Sequence, residues 1–310
     1  MSCDLSQFVN RESPIAAFEA MLGHRSRRIL LVQGREAMGK SCLVQRLRYE
    51  CHQRQVRTAL VDFRRDAALS QPEQIILTLR EEMGGVFARQ LEQAETQLRQ
   101  DFAPVAAAPL LVNWLAGASQ GAGGGHHISL AGQVEIGGDV VGGDKITIAN
   151  PTIVLNPNGG FDLGQAEAQT RRNTAFRAAL TAALGEGPLV LFFDHFEQAS
   201  SAAGLWLRRQ LLGLHLEGGS NGAGGFDKLW VVVAGRSLPL QDEITSWRHR
   251  LELQPLAPFP REVIALFWVE KRGLGIEVVD NASDLSGGIP GVLALMADNW
   301  EARHGRGDGK

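Results

Sequence analysis

The chain has 310 residues, 44% hydrophobic and 21% charged, an ordinary globular composition with room for one large or two small domains. A net charge of −3 provides no global basic field to recruit nucleic acid or an anionic membrane, and no run approaches the ~18 apolar residues of a membrane helix. Three cysteines, Cys3, Cys42 and Cys51, are too few and too irregularly spaced for a disulfide framework or a zinc site, so a reduced, cytoplasmic setting is the simplest reading.

Met1-Ser2-Cys3-Asp4 carries neither the basic nor the apolar region of a signal peptide. The first patterned stretch is Phe8-Val9-Asn10-Arg11-Glu12, in which Asn10 is placed to cap a helix. Residues 14–22 follow, with Ile15, Phe18 and Leu22 on one face and Glu19 turned away from it, the pattern of an amphipathic helix. Residues 28–33 form a short apolar run ending at a glycine, which predicts a buried parallel strand.

Gly34-Arg35-Glu36-Ala37-Met38-Gly39-Lys40-Ser41 comes next and fits G-x-x-x-x-G-K-[ST], the Walker A phosphate-binding loop. From Cys42 the apolar residues fall at helical spacing, so a helix starts at the loop. A strand, a glycine turn and a helix N-terminus together make an anion site, because free backbone N–H groups and the helix dipole point at the phosphates. Gly34 and Gly39 permit angles and close approaches that a side chain would block. Residues 34–42 are therefore the predicted phosphate contacts. Lys40 reaches the β- and γ-phosphates, and the Ser41 hydroxyl ligates Mg²⁺.

Residues 57–64 read as a second strand ending in Asp62 and Arg64, where open α/β sheets keep ligand-facing groups; Asp62 reads equally as a turn residue. Residues 72–83 form a helix on Ile75, Ile76 and Leu79, and residues 87–102 continue as a polar helix. Between 117 and 160 the composition shifts to Gly, Asn, Asp and β-branched residues. Alternating apolar pairs there sit between repeated Gly-Gly-Asp turns, a hairpin or short β-coil signature. The segment reads as a linker, a decorative hairpin or a self-associating β-segment. The adjacent His126 and His127 read as solvated rather than as metal ligands.

Regular structure resumes after residue 160, with a helix over 176–184. Leu189-Val190-Leu191-Phe192-Phe193-Asp194 is an apolar strand ending in aspartate and matches the Walker B strand of P-loop NTPases. That chemistry needs a carboxylate at the strand's end, close to the Mg²⁺ bound by Ser41. Glu197, three residues on, is a candidate for polarising the attacking water or a surface helix residue. A helix over 205–214 and a glycine-rich loop over 218–225 follow. Residues 229–236 form a buried strand ending in Arg236, and residues 251–256 the last strand. The chain is helical from Pro260. Gly288-Ile289-Pro290 precedes an apolar helix, which local rules read as a helix start. The polar tail over 303–310 reads as frayed.

These motifs occur in the order found in STAND NTPases, the signal-transduction branch related to AAA+ ATPases, and the chain resembles that family over most of its length, 117–160 excepted. The resemblance implies a three-layer α/β core with a mainly parallel sheet, the Walker A and Walker B strands as neighbours or near neighbours, and a small helical lid. It divides the chain into 1–116 and 161–257 as two halves of the core, 117–160 as a glycine-rich β insertion, and 258–310 as the lid. It assigns Phe8, Val9, Asn10, Arg11 and Glu12 to a base pocket, Arg236 to a sensor beside the γ-phosphate, and Pro290 to a lid contact with the nucleotide. AAA+ enzymes usually place their glutamate directly after the Walker B aspartate, where this chain has His195; Asp-x-x-Glu looks like one STAND variant.

ATP or ADP with Mg²⁺ is the implied cofactor, since no Asn-Lys-x-Asp element for guanine stands in a suitable place. The implied function is a slowly hydrolysing ATP-dependent switch. A work-performing AAA+-like ATPase acting in DNA transactions or loading, and a nucleotide-binding scaffold with little hydrolysis, remain alternatives. With no effector domain, winged helix or repeat array in view, sensor and effector are expected on separate polypeptides, or the NTPase acts alone.

Overall fold

A computed structural model of the chain describes residues 5–23, 27–64, 71–106, 128–130, 134–136, 145–147, 152–155, 161–163, 165–214, 226–238 and 249–304. The chain divides into two compact units. The first joins Met1–Gly84 to Ala183–Lys310, and the second is Gly85–Ala182.

In chain order, the first unit opens with helix α1 (Glu12–Gly23), strand β1 (Ile29–Gln33), helix α2 (Lys40–Gln53), strand β2 (Arg57–Asp62) and helix α3 (Pro72–Met83). The second unit holds α4 (Gly85–Ala106), the short strands β3 (Ile128–Leu130), β4 (Val134–Ile136), β5 (Lys145–Thr147), β6 (Thr152–Leu155) and β7 (Phe161–Leu163), and most of α5 (Gln165–Gly185). The first unit resumes with β8 (Leu189–Asp194), α6 (Ser201–Trp206), β9 (Leu229–Gly235), β10 (Leu251–Pro255), α7 (Arg261–Ala265), α8 (Val279–Ser286) and α9 (Pro290–His304). Helices α6 and α7 each run on in wider π-helical turns, Leu207–Leu212 and Leu266–Lys271.

The core of the first unit is a five-stranded sheet in the order β10-β1-β9-β8-β2. Every neighbouring pair in it is parallel. That explains the unbroken apolar runs at β1, β8 and β9, because a parallel sheet is covered on both faces. One face packs on α1 and α2: Phe18, Leu43, Val44 and Leu47 close over Leu30, Val32, Val190, Phe192 and Val232. Alternate strand residues point the other way, and there Phe193 stacks against Phe63 with ring centroids 6.4 Å apart. The Walker A strand β1 and the Walker B strand β8 are near neighbours with β9 between them. The register sets Gln33 beside Gly235 and Asp62 beside Asp194, so the strands that carry candidate residues end level with one another.

The C-terminal helices α7, α8 and α9, the expected lid, have their own cluster, built from Ile264, Phe267, Trp268, Val279, Ala282, Leu293 and Ala297, with Val9 of the N-terminal motif inserted into it. In the second unit, β3 and β4 pair as an antiparallel hairpin, and β5, β6 and β7 form an antiparallel sheet. Phe87 and Phe176 meet edge to face there. The short strands are all that is described of the glycine-rich stretch; His126 and His127 and the loop 218–225 lie outside the described residues.

Several element bounds differ from the sequence expectation: β2 stops at Asp62 rather than 64 and α4 spans Gly85–Ala106 rather than 87–102, and three further differences have local causes. α5 begins at Gln165 rather than 176, because residues 165–175 are polar helix formers with no apolar stripe to signal them. α6 begins at Ser201, whose preceding Ser200 hydroxyl caps it by accepting the Ala203 N–H at 3.0 Å. β9 ends at Gly235, so Arg236 is the first residue beyond the sheet.

Candidate nucleotide-binding site

The carboxyl ends of β1, β8, β9 and β2 converge on one edge of the sheet, where ligands bind in open α/β folds. β1 delivers the loop 34–39. Its glycines serve geometry: Gly39 has φ +83 as the residue before α2, a backbone state that side chains avoid. Ala37 adopts φ +62 without being glycine, a strained state of the kind that clusters in ligand clamps. α2 starts at Lys40 with no acidic residue in its first turn, leaving its positive dipole end open to an anion.

Lys40 is buried, and its Nζ donates to the carbonyls of Gly34 and Arg35, both at 2.8 Å. The ammonium is thus held inside the curl of its own loop. Burial lowers its pKa, and the charges of Glu197 and Asp194 partly oppose that shift.

β8 delivers Asp194, only 4% exposed. Burial pushes its carboxyl above the ordinary carboxylate range, while the Ser41 hydroxyl and His195 pull it back. The His195 N–H donates to Asp194 Oδ1 at 2.8 Å. Glu197 lies one short turn further. Desolvation acts to raise its pKa, but the Arg236 N–H and the charges of Lys40 and Arg236 outweigh it and hold the carboxylate low. Arg236 grips this carboxylate twice, by its backbone N–H at 2.9 Å and its Nε at 3.3 Å. Its Nη1 also lies 3.6 Å from Glu36 on the loop. Gly235 makes that grip possible, since a Cβ there would lie 3.2 Å from Glu197 Oε2 and 2.7 Å from the Ser237 carbonyl.

Ser41 and Asp194 offer a hydroxyl near enough to lower the pKa of the carboxyl, and that carboxyl, the oxygen donors that Mg²⁺ prefers. Among the described residues no group of three or more His, Cys, Asp or Glu forms a metal site. The pair therefore fits an ion that takes its remaining ligands from phosphate and water.

The N-terminal motif divides between core and lid. Phe8 packs on the core cluster and Val9 in the lid cluster. Asn10 takes φ +40, and Glu12 is exposed at the start of α1. Arg11 is buried: its guanidinium donates to Ala257 O at 2.8 Å and to Met38 O of the loop at 2.9 Å, and lies over the Phe259 ring at 4.6 Å. Pro290 begins α9. The next residue, Gly291, donates its N–H to Ala37 O at 2.8 Å, and a Cβ on it would stand 2.7 Å from Ala37 Cβ. Lid and loop therefore touch.

The geometry brings together Lys40, Ser41, Asp194, Glu197 and Arg236 with the rest of the loop, and sets Pro290 next to it. Arg35 and Glu36 are exposed on the loop, and Met38 is buried beneath it. Cys42 is disulfide-bonded, unlike the reduced thiols the cysteine count suggests. Cys51 is a free, buried thiol pushed up to about 12 by desolvation. Three features escaped sequence reasoning: the Gly291–Ala37 contact, the tie of Arg11 to the loop, and a contact chain from Asp62 through His195 to Ser41. His195 beside the Walker B aspartate and Asp62 at a strand end were the visible signals for the last.

Residues 7–216 match the family model described as an AAA ATPase domain. No curated protein matches the chain.

Proposed function

The chain belongs to the AAA ATPase domain family, and we propose that within it this protein is a nucleotide-controlled regulatory switch of the STAND type. It binds ATP at the 34–42 loop, hydrolyses it slowly, and uses the nucleotide state to set its lid and so a separate effector or assembly. The observation that carries the switch reading is the direct hydrogen bond from Gly291 of the lid to Ala37 of the phosphate loop. A loop that rearranges around phosphates moves the carbonyl on which the lid rests, so occupancy and lid position are coupled.

In this reading Lys40 exchanges its loop carbonyls for the β- and γ-phosphates, and the loop N–H groups and α2 dipole receive the remaining charge. Ser41 and Asp194 hold Mg²⁺, which when bound neutralises charge on the phosphate oxygens. Glu197 orients the attacking water once Arg236 turns from it toward the γ-phosphate. Phe8 to Glu12 and Pro290 enclose the base. The glycine-rich segment 117–160 serves self-association; replacing 118–159 by a short Gly-Ser linker should lower the mass in light scattering while sparing ATP binding, and an unchanged mass removes that role.

The test is the nucleotide released when freshly purified full-length protein is heat-denatured, read beside steady-state turnover. A switch releases near-stoichiometric nucleotide and turns over slowly. Empty protein with steady, client- or DNA-stimulated hydrolysis identifies a work-performing ATPase instead, and assembly indifferent to hydrolysis identifies a scaffold.

A further inference from the structure

The segment that leads into α1 is gripped at both ends. At one end, the 3₁₀ turn Leu5–Gln7 lies against both α2 and the π-helical turns Leu266–Lys271. The Gln7 side-chain oxygen there accepts from Arg272 Nη1 at 2.6 Å, a bond between residues 265 positions apart. At the other end, Arg11 donates to Met38 O of the phosphate loop at 2.9 Å and to Ala257 O at 2.8 Å. Between them, Val9 is buried among the C-terminal helices and Phe8 packs on the core. Arg272 follows the π-helical turns directly, and its side chain is only 6% exposed. Its Nε donates to Glu301 at 2.8 Å and its Nη2 to Asp298. Those two carboxylates stand three residues apart in α9, the spacing of neighbours on one helix face. They already meet the guanidinium charge, so the bond to Gln7 is not needed to neutralise it. The rigid planar fork fixes where the third donor points, and it points at the segment.

We propose that Arg272 is a positioning residue for ligand binding: through Gln7 it holds residues 8–11 in place as a wall of the crevice, beside the part of the ligand that lies beyond the phosphates. The direction follows from the two sides of the loop. Asp194, Glu197 and Arg236 stand toward β8 and β9, where the terminal phosphate and its Mg²⁺ go in the reading above. A triphosphate therefore carries its remaining substituent toward the other side, where Arg11 bonds Met38 O and Gly291 bonds Ala37 O. A short segment outside regular structure samples many conformations unless it is tied down. A ligand that needs one of them binds with an affinity reduced by the fraction of molecules that hold it. The Gln7–Arg272 bond raises that fraction for a nucleotide, whose base reaches the segment. A bare triphosphate does not reach it and is indifferent to the bond. The inference rests on the reading of this crevice as a nucleotide site whose base is enclosed by residues 8–12.

The experiment titrates ATP and, separately, inorganic tripolyphosphate into the full chain by calorimetry in excess Mg²⁺, for wild type, Gln7→Ala and Arg272→Met. Gln7→Ala cuts the segment loose and leaves Arg272 on Asp298 and Glu301, so α9 keeps its anchor. Arg272→Met keeps an unbranched apolar stem but leaves two carboxylates without their cation; should it fail to fold, Gln7→Ala decides alone. The expected result for Gln7→Ala is about tenfold weaker ATP binding, the scale of one hydrogen bond to a charged group, with tripolyphosphate affinity within about twofold of wild type. Arg272→Met shifts ATP in the same direction by at least as much. Unchanged ATP affinity in Gln7→Ala overturns the positioning role. So does an equal loss for both ligands, which assigns the segment to the fold of the loop itself. A wild type that binds tripolyphosphate as tightly as ATP overturns the wall and leaves the phosphate loop standing; one that binds neither overturns the nucleotide site as well.

Discussion

The phosphate loop has two flanks of opposite character. Toward β8 and β9 it meets charged side chains whose partners are exchangeable: Lys40 on the loop's carbonyls, Glu197 in the grip of Arg236, and Arg236 within reach of Glu36. Toward the lid it meets backbone and apolar surface. Gly291 bonds Ala37 and leaves no room for a Cβ beside it, and Arg11 fastens the Met38 and Ala257 carbonyls while lying on Phe259. Even the charge on that side is enclosed: desolvation lowers the Arg11 pKa to about 10. The polar flank consists of charge-assisted bonds that a phosphate can replace one for one. The lid flank is fitted by shape, and at Gly291 a single added methyl group has nowhere to go. Changes to the first should therefore alter binding and turnover, and changes to the second should alter how tightly lid and nucleotide are coupled.

The sharpest test of the polar flank is Lys40→Ala. It removes the buried cation at the centre of the loop, and we expect at least about a hundredfold loss of ATP affinity, the usual cost of truncating one partner of a buried charge pair. Titration with labelled ATP checks it; equal affinity in mutant and wild type rejects the loop as the binding element. Next in size, Glu197→Gln should slow single-turnover hydrolysis by about a hundredfold and leave binding within a few-fold. A wild-type rate in that variant would reduce Glu197 to a clamp on Arg236 and pass the water to another group.

The polar flank was largely legible in the sequence because its chemistry demands particular residue types at set spacings. The Walker A loop and Asp194 follow from G-x-x-x-x-G-K-[ST] and an apolar run closed by a carboxylate, and the strand and helix around the loop followed from periodicity. The lid flank was not legible in the same way. Arg11 and Gly291 bond to backbone carbonyls, which every residue carries, so no pattern marks their partners. Nor did periodicity reveal that Asp62 and Asp194 lie side by side, since that depends on sheet order and register rather than on either strand alone. The early start of α5 escaped for a simpler reason: its first residues have helix propensity but no apolar face.

On the lid flank the informative substitution is Gly291→Ala. The new Cβ would stand 2.7 Å from Ala37 Cβ and 3.1 Å from its carbonyl oxygen, so α9 must retreat from the loop. Overpacking of this kind costs about 1–3 kcal/mol. Because the strain lies at a contact between two elements, it should appear as roughly tenfold faster nucleotide release beside a melting temperature lowered by about a few degrees. A lowered melting temperature with unchanged release would mean that the contact stabilises the lid and does not couple it to the nucleotide.

The smallest effect expected runs against intuition and concerns Asp194. Burial holds its carboxyl above the ordinary range, against the pull of Ser41 and His195. A folded-state pKa above the unfolded value means that the fold disfavours the ionised form. The group's stabilising contribution is then complete below the unfolded pKa and is lost as pH rises through the folded pKa. At neutral pH, without nucleotide, Asp194 is therefore a net cost to the fold. Asn keeps an oxygen for the His195 N–H and carries no charge, so Asp194→Asn should be more stable than wild type by on the order of 1 kcal/mol at pH 7. That gap should close as pH falls toward the ordinary aspartate range near about 4. Thermal melts across that interval measure it. Adding Mg-ATP should reverse the order, since wild type gains the stabilisation of a bound ligand and the variant loses much of it. If instead the Asn variant is the less stable one at neutral pH without ligand, the hydrogen bonds around Asp194 outweigh its burial. The polar flank would then be a settled network like the lid flank, rather than one whose buried charge favours the binding of a phosphate and its metal.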